Sequence, residues 1–311
     1  MSQNKVSTST VEPWPELPLD AWKDTYATLH MWTQIVGKIR MALTPLVNHW
    51  WNVTLYVTSR GLTTSAIHYG TRVFDIEFDF FDRQLVIRTG DGAVRSVQLK
   101  PRSVADFYRE VMRELDSLGI DVKIHATPDE VSDPIPFEED QVHASYDPEF
   151  ATRFWRILVS VDAVFKEFRS QFIGKCSPVH FFWGAFDLAV SRFSGRTAPE
   201  RPGADLMMRE GYSHEVISAG FWPGGGEVKG PAFYSYTVPA PDGLDKQSIK
   251  PAAAFYDSKL GEFILMYDDM RRLEDPKAGL LEFLQSTYEA GADLAKWDRK
   301  ALERAPAVPS S

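Results

Sequence analysis

The sequence predicts an α+β fold in which two pseudo-symmetric halves each consist of a helix, an antiparallel sheet and a second helix. Three observations predict it: clear helix start and stop signals, apolar residues at every second position between them, and an internal similarity at long range. The chain has 311 residues and is 44% hydrophobic and 13% aromatic, a composition typical of a globular protein with a large core.

Each predicted helix follows an N-cap residue. Asp20 opens the first helix and Gly37 closes it, while Ser103 opens the second. The last two predicted helices begin with Asp-Pro. The aspartate caps the helix, and the proline lies in the first turn, where a backbone N–H would have no partner within the helix. The predicted helices cover residues 20–36, 103–118, 147–173 and 275–302.

Strands are predicted where apolar and polar residues alternate, because successive side chains of a strand point to opposite faces. The turn sequence Gly90-Asp91-Gly92 predicts a hairpin, and residues 50–99 are expected to form an antiparallel meander. The predicted strands cover residues 53–58, 74–80, 85–88, 94–99, 186–192, 215–221, 233–238, 254–256 and 262–267.

Two parts of the chain resemble each other in the same order. The matching pairs are TQIVGK at 33–38 with SQFIGK at 170–175, PLVNHWW at 45–51 with PVHFFW at 178–183, and SR at 59–60 with SR at 191–192. We interpret the series as an internal duplication, and the alternative is a chance resemblance of two helix ends. The predicted organisation is a disordered tail over 1–11, a first repeat over 12–124, an acidic proline-rich connector over 125–146, a second repeat over 147–303 with an insertion at about 199–250, and a disordered tail over 304–311.

The composition excludes several classes of function. With 34 Lys and Arg against 43 Asp and Glu, the net charge of -9 argues against a nucleic-acid partner. The single cysteine, Cys176, cannot form an internal disulfide and is typical of a reducing compartment. Because no long uncharged apolar run and no leader pattern occur, we expect a soluble cytoplasmic protein without a membrane partner. The cofactor and the oligomeric state stay unknown.

Six segments carry a resemblance to a known family. They are WPELP at 14–18, NHWW at 48–51, SRGLTT at 59–64, GKCSPVHFFWG at 174–184, YSHE at 212–215 and GFWP at 220–223. In these segments the sequence resembles an uncharacterised bacterial family of DUF5996-like proteins. The resemblance spans nearly the whole chain and implies a bacterial origin, but the family has no assigned activity and so implies no mechanism.

Three histidines are the candidate catalytic residues. His49 and His180 occupy matching places in the two copies, each beside tryptophan, and His214 opens a predicted strand. Histidine titrates near neutrality and serves as an acid or base, although a histidine among aromatic residues can equally be a hydrogen-bonded core residue. The pattern His-Glu-x-x-His is absent, so no metal site is predicted; one assembled in three dimensions from the histidines and a carboxylate stays open.

Six further residues are the candidate ligand-binding residues. Aromatic side chains beside polar groups suit an apolar pocket, and arginine suits a carboxylate or a phosphate, unless Asp79 and Asp187 pair with the arginines instead. Trp222 precedes Gly224-Gly225-Gly226, which is either a lid over a ligand or a plain hairpin tip. The six are Trp183, Trp51, Arg60, Arg192, Glu215 and Trp222.

We therefore expect a small organic ligand in an aromatic-lined pocket between the halves. An anionic ligand is one of the alternatives. The protein is then either an enzyme with histidine acid and base groups or a sensor. The alternative is a non-catalytic binding or assembly protein in which the histidines only satisfy a polar core. No nucleotide-binding glycine pattern occurs in the sequence.

Overall fold

A computed structural model describes residues 12–305, and these residues form an α+β fold, as the sequence predicts. The predicted tail over 1–11 and most of the predicted tail over 304–311 lie outside the described residues. The helices within the described range are α1 (Leu19–Leu43), α2 (Val104–Ser117), α3 (Pro148–Ser170), α4 (Leu206–Gly211), α5 (Tyr267–Arg271), α6 (Pro276–Leu294) and α7 (Arg299–Leu302).

The first sheet is antiparallel, with strand order β1-β2-β4-β5-β6 and with β3 paired to β4. The predicted hairpin across Gly90–Gly92 is confirmed, because β5 and β6 pair on either side of it. The strands are β1 (Tyr56–Val57), β2 (Gly61–Thr63), β3 (Ile67–Tyr69), β4 (Arg72–Asp79), β5 (Gln84–Thr89) and β6 (Val94–Gln98).

The second sheet is also antiparallel, with strand order β11-β12-β10-β9-β8-β7. Leu55 joins it to the first sheet, since its N–H and C=O form hydrogen bonds of 2.9 Å with the backbone of Phe181. The strands are β7 (His180–Phe182), β8 (Asp187–Thr197), β9 (His214–Trp222), β10 (Ala232–Val238), β11 (Phe255–Asp257) and β12 (Glu262–Met266).

The segment expected as an insertion contributes the middle of the second sheet. β9 and β10 lie within residues 199–250, yet β9 pairs with β8 and β10 pairs with β12. Their alternating pattern places apolar residues such as Phe221 and Phe233 in the core. These two strands therefore lie at the centre of the second sheet.

The sequence predicts that Gly37 ends the first helix, and this prediction is wrong. Gly37 lies inside α1, which continues to Leu43. The physical reason is a close contact: a Cβ atom at Gly37 would lie 2.2 Å from the ring of Trp183. A glycine in a helix interior costs stability, so this one is explained by packing and not by a helix cap.

The helices cover one face of the second sheet. α3 and α6 pack on β8, β9 and β10, and Phe154, Phe221 and Leu280 are buried between these layers. The connector 125–146, described throughout, forms neither helix nor strand, although Phe137 within it is fully buried. Among the helices in residues 12–305, none has the length and apolar composition needed to span a bilayer.

Candidate functional site

A cavity of about 600 Å³ lies on the face of the second sheet that points away from α3 and α6. Every second residue of the central strands forms its floor, because alternate side chains share a face. The floor residues are Asp187, Ala189 and Ser191 of β8, Val216, Ser218 and Trp222 of β9, and Tyr234 and Tyr236 of β10.

The walls of the cavity come from both halves of the chain and from the connector. They include His49, Trp50, Trp51 and Val53 after α1, Asp129 and Glu130 of the connector, Phe182 and Trp183 at the end of β7, and Met207, Met208 and Tyr212 around α4. Aromatic rings thus surround most of the space, as is usual for sites that bind organic molecules.

Two residues of α1 fix the connector against the cavity. The Gln34 side-chain amide exchanges two hydrogen bonds of 2.8 Å with the backbone of Asp129, and the Lys38 Nζ lies 2.7 Å from its carboxylate. The Lys38 side chain is 1% exposed and the Asp129 carboxylate is 41% exposed, so this ion pair joins a buried ammonium to a carboxylate that water reaches. Gln34 and Lys38 belong to the motif TQIVGK, whose role here is to hold Glu130 at the cavity wall.

Four non-glycine residues beside the cavity have left-handed backbone conformations. The φ angles are 60° at His49, 60° at Trp50, 55° at Glu130 and 58° at Phe186, which directly precedes Asp187. Such conformations are disfavoured for residues with a Cβ atom, and they concentrate at functional sites. The tertiary contacts therefore hold this backbone in a conformation that the local sequence does not favour.

The acidic end of the cavity holds three carboxyl groups. Asp187 is buried and accepts a hydrogen bond from the Tyr234 hydroxyl; burial raises the pKa of Asp187 to about 7, although this hydrogen bond opposes the rise. Burial also raises the pKa of Glu262 to about 7 and raises the pKa of Glu130. Among residues 12–305, no lysine or arginine forms an ion pair with any of the three.

Hydroxyl groups extend from the carboxyl groups along the floor. The Tyr212 and Tyr236 hydroxyls are 2.9 Å apart, and Tyr236 stacks on Tyr234 with ring centroids 6.0 Å apart. The Ser191 and Ser218 hydroxyls are also 2.9 Å apart. The floor thus offers donors and acceptors inside an otherwise aromatic space.

Two of the candidate histidines lie together at the cavity. His49 lines it, and its ring lies 5.6 Å from that of His214. The Lys175 Nζ donates to His49 Nε2 at 2.6 Å, so Nδ1 carries the hydrogen and donates to the Gly211 carbonyl at 2.9 Å. Burial and the Lys175 charge lower the pKa of His49, so the ring is neutral at pH 7.

His180 lies behind the cavity wall. Its ring packs 5.7 Å from Trp51 and 5.5 Å from Tyr56, and it is 1% exposed. Burial, with the charges of Arg40 and Arg169, lowers its pKa to about 3. The three histidines therefore form one row with Trp51 between His180 and His49.

The candidate ligand-binding residues divide between the cavity and other places. Trp51, Trp183 and Trp222 line the cavity, and the Trp183 Nε1 donates to the Val53 carbonyl at 2.8 Å. The structure leaves Arg60 and Glu215 outside: Arg60 pairs with Asp79 at 2.5 Å, as the alternative interpretation has it, and Glu215 pairs with Arg196.

Arg192 also lies outside the cavity, because its position on β8 points it to the helix-covered face. Its guanidinium lies 3.4 Å from the ring centroid of Phe168 and 4.3 Å from that of Tyr288, and it donates to the Phe168 carbonyl. The predicted alternative partner, Asp187, occupies the opposite face of the same strand.

The Gly224–Gly226 segment forms a tight turn. Its three φ angles are 93°, 153° and 55°, which only glycine adopts readily, and Gly225 exchanges two backbone hydrogen bonds with Val228. Whether this turn moves over a ligand, as the lid hypothesis requires, stays a prediction.

Sequence reasoning missed the acidic residues of the cavity. From the sequence, Asp187 was considered only as an ion-pair partner for an arginine. No role in a site was predicted for the other cavity residues Glu130, Glu262, Tyr234 and Tyr236. The available signal was polar residues alternating with core residues along predicted strands, as Tyr234 and Tyr236 do around Ser235. Within the described residues, no group of three or more His, Cys, Asp or Glu side chains is arranged to hold a metal ion.

Comparison with known proteins gives a family without an activity. Searches of curated proteins and of solved structures found no match. One family model matches residues 14–304, which is nearly the entire chain. The chain belongs to DUF5996, a family of unknown function.

Proposed function

We propose that the cavity binds a small organic molecule that carries a protonated amine. One observation carries this proposal: Asp187, Glu130 and Glu262 face one aromatic-lined cavity and have no cationic partner in the described part of the chain. Asp187 is buried, Glu262 is half-buried and Glu130 is exposed. Because a buried carboxylate without a partner is costly, a ligand that brings the missing positive charge gains most from Asp187.

The aromatic walls favour the same kind of ligand. The faces of tryptophan and tyrosine rings attract cations, and Trp51, Trp222 and Tyr234 all line the cavity. Its volume of about 600 Å³ suits a small metabolite. The carboxyl groups would repel the anionic ligand that the sequence first suggested. Strained backbone at His49 and Trp50 supports a binding role for this face.

Binding should depend on pH in a defined direction. The pKa values of Asp187 and Glu262 are raised to about 7, so both groups are largely protonated at pH 5 and largely ionised at pH 8. An ammonium ion prefers the ionised carboxylates and displaces their protons. Affinity for the amine should therefore rise from pH 5 to pH 8.

A ligand screen tests the proposal. Thermal unfolding would be measured at pH 8 with primary, quaternary, neutral and anionic organic compounds of matched size. Amines should raise the Tm of the wild type, and Asp187→Asn should weaken that response at least about tenfold in Kd. Asp82→Asn, an exposed change in the first sheet, is the matched control. A panel in which only neutral or anionic compounds bind would contradict the proposal.

Acid–base catalysis at the same site is a second candidate function. The Asp187–Tyr234 pair favours it, because a carboxyl with a pKa of about 7 can both accept and release a proton at neutral pH. His49, whose pKa burial lowers, would add a neutral ring. The non-catalytic alternative predicts that an amine found in the screen is recovered unchanged after incubation, and mass spectrometry distinguishes the two.

We also infer that the halves derive from an internal duplication. The Arg40 Nε donates to the Asn52 carbonyl and the Arg169 Nε to the Ser177 carbonyl, each at 2.6 Å, so each helix holds the loop that follows it in the same way. A twofold axis between Leu55 and Phe181 would then relate the sheets. It would make Thr54 the counterpart of His180, in place of His49.

The proposed duplication predicts a structural alignment of the two sheets. Superposing Leu55 on Phe181 should align β1, β2, β4, β5 and β6 with β7, β8, β9, β10 and β12 in order. A different strand order after superposition would contradict it. For the whole protein, we propose a bacterial cytoplasmic location, supported by the single cysteine, and no nucleic-acid partner, supported by the net charge of -9.

A further inference from the structure

We infer a second binding site, for a small oxyanion, at Arg40 and His180, where the two halves meet. The site is separate from the amine cavity and does not depend on it, because Trp51 lies between His180 and the cavity. Its ligand is a carboxylate or a phosphate, since both side chains can supply N–H donors.

Arg40 enters the site from the last turn of α1. Its Nε donates to the Asn52 carbonyl of the following loop, which leaves its terminal guanidinium nitrogens for another acceptor. Arg40 is 8% exposed, and its buried Nη1 has no hydrogen-bond partner in residues 12–305.

His180 is the second member, and it is more completely buried than Arg40. Both ring nitrogens lie away from solvent, and neither has a partner among the residues that the structure describes. Its ring and the Arg40 guanidinium each lie 5.5 Å from the ring centroid of Tyr56, so both groups belong to one cluster. Buried polar groups are nearly always hydrogen-bonded, and this cluster leaves three nitrogens without a partner.

Charge points to an anion. Within residues 12–305, Arg40 forms no ion pair with a carboxylate. Other buried cations have different partners: Lys38 pairs with Asp129, and Arg192 stacks on Phe168 and donates to its carbonyl, although the Arg192 Nε has no partner in the same range. An oxyanion would accept from the Arg40 guanidinium and from the N–H of the neutral His180 ring, and so would complete the cluster.

Anion-dependent stability tests the inference. The Tm of the wild type would be measured at equal ionic strength in millimolar formate, inorganic phosphate and chloride. Formate or phosphate should raise the Tm by about 2 °C or more above the chloride value, and the ion that does so identifies the source. This rise in Tm should be lost in Arg40→Gln and in His180→Phe. It should be kept in the control Arg60→Gln, because Arg60 already has carboxylate partners.

A measurement on the wild type keeps the test decisive if those variants fold poorly. In protein labelled with ¹⁵N-histidine, titration with the active anion should shift the ring signals of one of the seven histidines. These signals are assigned to His180 because they are missing from the spectrum of His180→Phe or, if that variant does not fold, because they exchange most slowly with solvent. Identical Tm values in all three salts, with no shifted ring signal, would overturn the inference and assign the buried nitrogens to water.

Discussion

The two faces of β8 bury charged side chains in opposite ways. On the face covered by α3 and α6, Arg192 is enclosed by the rings of Phe168, Phe172 and Tyr288 and donates to a backbone carbonyl. On the cavity face, Asp187 has a hydroxyl donor from Tyr234 but lies near the like charges of Glu130 and Glu262. Arg192 is thus held by rings and one carbonyl, although its Nε has no hydrogen-bond partner among residues 12–305, while Asp187 has no cationic partner in the same range.

This difference separates structural from functional burial. Removing a satisfied group takes away contacts that the fold needs, whereas neutralising an unsatisfied carboxyl relieves a cost. Stability and binding should therefore respond to mutations on the two faces with opposite patterns.

Arg192→Ala should cause the largest loss of stability. The substitution empties a space among three rings and removes one donor from the Phe168 carbonyl, which keeps the Gln171 N–H at 3.3 Å, so we expect the free energy of unfolding to fall by about 3 kcal/mol or more. Urea denaturation would measure it. Arg60→Ala, which removes an arginine paired at the surface of the first sheet, is the control and should cost much less. Equal losses would show that the aromatic enclosure does not stabilise the fold.

Asp187→Asn should change stability in the other direction. Burial raises the pKa of Asp187 to about 7 from its usual 3.8, so the folded wild type holds this proton more tightly and loses stability as pH rises between these values. The variant lacks this loss and should gain about 2 kcal/mol relative to wild type between pH 5 and pH 8. Chemical denaturation at both pH values measures the change.

Asp79→Asn supplies the opposite sign. Burial raises the pKa of Asp79, but hydrogen bonds from Arg60 and from the Asp82 and Phe81 amides outweigh it and lower the pKa overall. Wild-type Asp79 therefore stabilises the fold above its usual pKa, and the variant should lose stability at neutral pH. If both variants lost stability at pH 8, the contrast between a satisfied and an unsatisfied carboxyl would fail.

Gly37→Ala should reduce stability by about 1–2 kcal/mol, although alanine normally favours a helix. The added Cβ would lie 2.2 Å from the Trp183 ring and would push this ring toward the cavity. Thermal and urea unfolding measure the loss, and weaker amine binding should accompany it. Gly211→Ala at the end of α4 is the control, because its Cβ meets no atom within 4 Å. A stabilised Gly37→Ala would contradict the packing explanation.

Glu215→Gln should have the smallest effect on binding. Glu215 lies on β9 but pairs with Arg196 outside the cavity, so the Tm response to an amine should stay at the wild-type value. Glu262→Gln on β12 changes a cavity carboxyl in the same way and should weaken the response. An equal effect of the two substitutions would mean that general charge, and not the cavity face, controls binding.

Much of the secondary structure could be predicted because its signals are local. The N-caps Ser103, Asp147 and Asp275 each accept a backbone N–H at the helix starts that the sequence predicts. The prediction that Gly37 ends a helix was wrong because the reason for this glycine is not local. The reason is its contact with Trp183, which lies far along the chain. The candidate site divides in the same way, since Trp51, Trp183 and His49 line the cavity but its carboxyl groups went unrecognised.

The sequence by itself determined which residues alternate, where helices begin, and that aromatic and histidine residues cluster in a few short segments. Local hydrogen bonding and side-chain periodicity encode these features within a few residues. Only the tertiary structure decided which face of β8 is satisfied and which is open. That outcome depends on long-range neighbours, Phe168 for Arg192 and Glu262 for Asp187, because the energy of a buried charge is set by the groups that the fold brings around it.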